Sequence, residues 1–158
     1  MAEAFDGIPG LARWRPAHHG RNLTSTGSTG AVTGGVRTLL RLEGAAVLAI
    51  SVAAYAQWGQ GWGLFALLFL LPDMAFLAYL AGPRAGAVAY NATHAYLGAL
   101  ALLAAGVLGA QPLVLALGLI WCAHIGFDRM LGYGLKYSVG FHSTHLGPIG
   151  QGGQPDLW

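Results

Sequence analysis

Trp121-Cys122-Ala123-His124-Ile125-Gly126-Phe127-Asp128-Arg129 closes the last long apolar segment of this 158-residue chain. Three ionisable side chains, His124, Asp128 and Arg129, stand there in a segment otherwise suited to lipid. An ionisable group inside a membrane span is costly, so it faces the protein interior and has partners. The stretch therefore predicts a helical membrane protein with a buried polar site.

Composition agrees. Apolar residues make up 55% of the chain and charged residues only 9%, against about 25% charged in soluble domains. Mean hydropathy is +0.54. So few charges cannot cover a water-facing surface. The formal charge of +2 is too small to point to nucleic acid. The single cysteine, Cys122, excludes an intrachain disulfide and reads as a small buried filler.

Working outward, four segments approach the roughly 20 residues that cross a bilayer, at 38–57, 62–81, 86–108 and 112–131. The expected fold is all-α, a four-helix transmembrane bundle with an ordered C-terminal flap. The expected division is a flexible segment 1–36, a membrane domain 37–133, and a flap and tail 134–158. Residues 24–35 read TSTGSTGAVTGG, a flexible linker. Arg13 and Arg15 are followed by no apolar run, so the beginning does not read as a signal peptide. His18-His19 reads as solvated loop.

Ala45, Ala49 and Ala53 form one small-residue stripe, and Gly118, Cys122 and Gly126 another, both suited to close helix contact. Tyr55, Trp58 and Trp62 suggest an interfacial aromatic belt. Pro72, beside Asp73, predicts a kink in the second span. The third span reads as continuous, with Tyr90, Asn91 and His94 on one face. In the fourth, Trp121, His124 and Asp128 share a face, and His124 and Asp128 stand one turn apart, close enough to hydrogen-bond. Trp121 reads as packing.

All eight basic residues fall before the first span, between the second and third, or at and after the end of the fourth. The positive-inside rule then places both termini in the cytoplasm, in an inner (plasma) membrane. Counting inward from those helix ends at 1.5 Å per residue puts Glu43, Asp73, Asn91, His94, His124 and Asp128 roughly 5 to 12 Å deep. Four helices thus offer polar groups within one layer of the cytoplasmic half.

The runs Leu40-Arg41-Leu42-Glu43-Gly44, FLLPD (69–73), YNATH (90–94), IWCAHIGFDRMLGYGLKY (120–137) and THLG (144–147) resemble the domain-of-unknown-function 4260 family of small bacterial integral membrane proteins. The resemblance spans about residues 37 to 150. It implies a membrane protein and carries over no activity.

The layer suits acid–base chemistry, because burial moves carboxylic acids and imidazoles toward their neutral forms and so toward paired donors and acceptors. The catalytic candidates are His124, Asp128, Asp73, His94 and Glu43. Tyr90, Asn91, Trp121 and Arg129 are the substrate-binding candidates. The leading expectation is an isomerase, cyclase or hydrolase acting on a lipophilic small molecule. A second is a structural or accessory subunit of a membrane complex or homo-oligomer, its polar cluster locking helix register. A third is a metal-dependent membrane enzyme. Glu43, Asp73, His94, His124 and Asp128 form a mixed carboxylate and imidazole set suited to a divalent metal, and His142 and His145 could join it if the tail folds back. Otherwise these two read as lid or surface groups, and Arg129 as a residue that snorkels or pairs with Glu43 or Asp128.

Overall fold

The computed structural model describes residue 32, residues 34–138 and residues 143–148. His18-His19, His142 and most of the linker lie outside them; at the linker's end, Gly34 and Gly35 open the first helix and the Val32 amide donates to the His145 carbonyl over 2.8 Å, where flexible chain was expected. Four helical spans, long and apolar enough to cross a membrane, run over Gly34–Trp58, Trp62–Ala81, Pro83–Leu108 and Pro112–Leu131. The chain is a membrane protein. Leu67, Leu80, Leu97 and Leu108 point outward, as hydrocarbon demands and water would not allow.

The first span is one helix, α1 (Gly34–Trp58), and so is the last, α5 (Pro112–Leu131). The two between them are broken. The second is α2 (Trp62–Phe69) followed by a 3-10 helix, Leu71–Ala81. Pro72 opens the 3-10 segment, where its missing N–H costs least. The predicted kink is thus a change of helix type persisting to the end of the span. The third span begins at Pro83 rather than 86 and is not continuous. It divides into α3 (Pro83–His94) and α4 (Tyr96–Leu108) at Ala95, whose backbone is extended, with φ −88° and ψ 139°.

No proline or glycine marks that second break. Its partners are side chains on other elements. The Trp121 indole donates to the Thr93 carbonyl over 2.5 Å. The Thr93 hydroxyl lies 3.0 Å from the Tyr90 carbonyl and 3.3 Å from that of Pro72, tying one break to the other. Irregular backbone at membrane depth persists only where protein satisfies it. Trp121, expected as a packing residue and a substrate-binding candidate, supplies part of that satisfaction.

The α5 helix is the centre of the bundle, buried almost without interruption from Ala116 to Gly126. The first helix packs along it, and α4 forms a hairpin with it, while α3 lies on the 3-10 segment. At the α1–α5 crossing, a Cβ on Gly44 would stand 2.5 Å from the Arg129 Cβ and 2.9 Å from the Gly126 carbonyl. The Gly118 and Gly126 positions of the second small-residue stripe touch α4 and α1 respectively. The alanine stripe does not make the contact expected of it, since Ala49 and Ala53 are exposed. The contact face of α1 is rotated onto Gly44, Ser51 and Tyr55. Near the end of α1, Tyr55 is buried, packed on Trp62 and Phe65 with its hydroxyl donating to the Gly61 carbonyl.

Beyond α5 the chain turns at Gly132, in the left-handed conformation with φ 95°. It then folds back as the expected ordered flap. Strands β1 (Ser143–Thr144) and β2 (Gly147–Pro148) pair antiparallel, and Lys136 bridges to Thr144.

Candidate functional site

Four ionisable side chains from three spans meet where the two broken helices change direction. Asp73 stands two residues into the 3-10 helix, His94 ends α3, and His124 and Asp128 lie one turn apart on α5. One ligand-type atom from each falls within 4.8 Å of all the others. His94 Nε2 is 3.0 Å from His124 Nε2, 3.4 Å from Asp73 Oδ1 and 3.4 Å from Asp128 Oδ2. His124 Nε2 is 3.6 Å from Asp73 Oδ1. The direct bond expected between His124 and Asp128 does not form. Each side chain reaches toward α3 instead.

The tautomer of His94 follows from its surroundings. Its Nδ1 lies 2.9 Å from the Thr93 hydroxyl, which can donate or accept, and 3.0 Å from the Tyr90 carbonyl, which only accepts; a proton on Nδ1 serves both, with the hydroxyl itself donating to a carbonyl, and leaves Nε2 a lone pair. Tyr90 stacks on the His94 ring at 3.7 Å, and its hydroxyl donates to Asp128 Oδ2 over 2.9 Å. His124 is edge-on to Phe69, and its Nδ1 has no hydrogen-bond partner among the described residues. Phe76 stacks on the Tyr90 ring and Phe127 packs on Phe69, completing an aromatic wall. The His94 and His124 side chains are 3% and 1% exposed, Asp128 14% and Asp73 33%, so Asp73 is the open side of the centre.

An apolar groove of about 290 Å³ begins on residues adjoining that centre. Pro72 and Thr93, which precede Asp73 and His94, form its near wall together with Trp121, and Leu102, Leu117 and Leu68 continue it. Its size is at the lower end of small-molecule sites. Trp121 and Thr93 therefore both tie the broken backbone and line the groove.

The other candidates are distributed differently. Glu43 is exposed on α1 and is not among the converging groups. Its neighbour Gly44 is the residue that meets α5, and one residue around a helix turns the carboxylate away. Asn91 does not face the centre. It clamps the flap, accepting from the Lys136 amide over 2.7 Å and donating to the Lys136 carbonyl over 2.8 Å. That clamp delivers a residue the sequence reading missed. Lys136 is 4% exposed, with its ammonium 4.7 Å from the Tyr90 ring centroid and 5.7 Å from that of Phe76. Burial holds this ammonium below its ordinary pKa, with Asp128 pulling the other way. No spacing rule finds it, because the position is set by a turn and a return of the chain.

Arg129 pairs with neither Glu43 nor Asp128. Its Nη1 lies 3.2 Å from His145 Nε2 and its guanidinium 5.7 Å from the Tyr96 ring centroid. His145 is a flap residue, as expected, and both its ring nitrogens face N–H groups, those of Arg129 and of the Leu135 amide. An imidazolium, donating from both nitrogens, does not fit there. Burial first and the Arg129 charge second hold its pKa below the ordinary value, against a smaller backbone contribution at Leu135. A released flap therefore binds the proton more readily than a docked one, so docking is strongest above about pH 6.5 and weakens as pH falls through that value. Hydrogen exchange checks this. Protection of the Leu135 amide, corrected for intrinsic exchange, falls between about pH 7.5 and pH 5.5 in the native chain and stays level in His145→Gln. Level protection in the native chain would contradict it.

A family model described as a domain of unknown function, DUF4260, matches residues 37–149. Comparison with curated proteins gives no match, and comparison with solved structures gives none.

Proposed function

The chain belongs to the DUF4260 family, and from the geometry of its centre we propose that it is a membrane enzyme acting on a lipophilic small molecule. The observation that carries this reading is the convergence of Asp73, His94, His124 and Asp128 beside an apolar groove. The apolar part of a substrate enters from the bilayer and lies along Leu102 and Leu117. Its reacting group meets the centre on the open, Asp73 side. Hydrolysis, isomerisation and cyclisation all need a proton taken from one atom and given to another. Tyr90, bonded to Asp128, and Lys136, over the Tyr90 ring, are the donors placed to return it.

Arg37, Arg41, Arg84, Arg129 and Lys136 all stand at or beyond the helix ends on this side of the bundle, while the turns at 59–61 and 109–111 carry no charge. We read this side as cytoplasmic, in a plasma membrane. An accessory subunit whose polar cluster only fixes helix register is the competing role. A lock of that kind closes its hydrogen bonds, and His124 Nδ1 has no partner among the described residues.

The test is to reconstitute the full chain in vesicles made from the lipid extract of the organism that encodes it. Mass spectrometry then follows which lipophiles are consumed or formed. Turnover of at least one species, slowed about 100-fold or more in Asp73→Asn, supports the reading. A native chain indistinguishable from Asp73→Asn, with both folded, sinks it.

A further inference from the structure

We infer that Asp73, His94, His124 and Asp128 form a binding site for one divalent metal ion of the zinc, iron or manganese class. The inference deepens the proposed function but does not need it, since a metal can be held without turnover.

Lone pairs come first. His94 Nε2 carries no proton, because Nδ1 spends it on the Tyr90 carbonyl. Asp73 Oδ1 and Asp128 Oδ2 are acceptors, and His124 Nε2 completes the group. A proton on His124 Nε2 would satisfy the His94 lone pair at 3.0 Å, but the two carboxylate oxygens beside them still need a positive centre. Hydrogen bonds could supply it only at about 2.7–3.2 Å, and three of the four measured separations are 3.4, 3.4 and 3.6 Å. A lone pair toward the centre and an N–H to a backbone carbonyl is also how metal-bound histidine is held.

Spacing comes second. With bonds of 2.0–2.1 Å, tetrahedral ligand atoms stand about 3.3 Å apart. Four of the six separations, 3.0, 3.4, 3.4 and 3.6 Å, lie near that edge, and all six are within 4.8 Å. The set is two imidazole nitrogens and two carboxylate oxygens with no thiolate, which suits zinc, iron(II) and manganese(II) over copper(I).

Charge comes third. Two carboxylates stand close together here, and among the described residues Lys136 acts on Asp128. A divalent cation would offset both carboxylates. Uncompensated burial of this kind is costly. Once bound, such an ion would polarise a substrate oxygen or acidify water, and Asp73 is the ligand facing the approach.

The experiment is elemental analysis of the full chain, purified in mild detergent without chelators, together with the visible spectrum after cobalt(II) loading. The native chain should carry close to one equivalent of one of these metals and, with cobalt, give the intense bands of a tetrahedral site. Both signals should fall at least tenfold in His94→Ala and His124→Phe and remain in His145→Gln. Helix content and elution volume report folding, and His124→Phe covers the case in which His94→Ala does not fold. A folded native chain below a tenth of an equivalent after incubation with zinc, iron(II) and manganese(II) overturns the inference. So does a folded His124→Phe that retains native metal content. Metal without lipid turnover would sink the enzymatic reading alone, and turnover without metal would sink this inference alone.

Discussion

Replacing His124 by phenylalanine is expected to remove turnover at a cost to the fold of only about 1–3 kcal/mol. The ring sits edge-on to Phe69 at 5.5 Å and to His94 at 5.0 Å, contacts that a benzene ring keeps. Its Nδ1 has no partner to lose among the described residues. The loss comes at Nε2, because the exchange leaves the buried His94 Nε2 without its partner at 3.0 Å, and an unpaired buried polar group costs about 1–3 kcal/mol. Function should suffer far more. His124 Nε2 faces both His94 and Asp73, and losing an acid–base group at a reacting centre typically costs 10²- to 10⁴-fold in rate. Thermal unfolding in detergent and the vesicle assay measure the two sides. If the cluster exists only to lock helices, the order reverses: stability drops by several kcal/mol, and no turnover is there to lose. That result would remove the enzymatic proposal.

The second large effect belongs to the α1–α5 crossing. Gly44→Ala places a methyl group 2.5 Å from the Arg129 Cβ, 2.7 Å from the Met130 nitrogen and 2.9 Å from the Gly126 carbonyl. Two of those neighbours are backbone and cannot swing aside, so α1 must move away from α5. Overpacking typically costs about 1–3 kcal/mol, and a clash with backbone belongs at or above the top of that range. Because α5 carries His124 and Asp128, the shift also disturbs the centre. The matched control is Ala53→Leu, on an exposed position of the same helix, with an expected change within about 0.5 kcal/mol. Thermal midpoints in one detergent compare the two. Equal destabilisation by both would mean that α1 packs through its alanines, contrary to the structure.

The two glycine positions show how much of the fold could be read in advance. Gly126 belongs to a small-residue stripe visible in the sequence, and α5 uses it. The alanine stripe of α1 looked equivalent, yet Gly44, one position away, makes the contact. Small residues repeated every four positions mark a helix that can be approached closely. Which of two adjacent stripes is used depends on the shape of the facing helix, and no single segment contains that information. The same rotation of α1 takes Glu43 away from the centre.

Hydropathy by itself determined the membrane class and the number of spans, because twenty apolar residues must be hidden from water wherever they lie. It also marked Asp73, His94, His124 and Asp128, since an ionisable group in an apolar run is conspicuous whatever its partners. Only tertiary structure decided that these four face one point and that α3 ends at His94. It also decided that Lys136 returns to lie over Tyr90. The break at Ala95 is held by Trp121 and Thr93, and Lys136 by Asn91, across 28 and 45 residues of sequence. Contacts at such separations depend on how whole helices are set against each other, and local pattern carries no record of that.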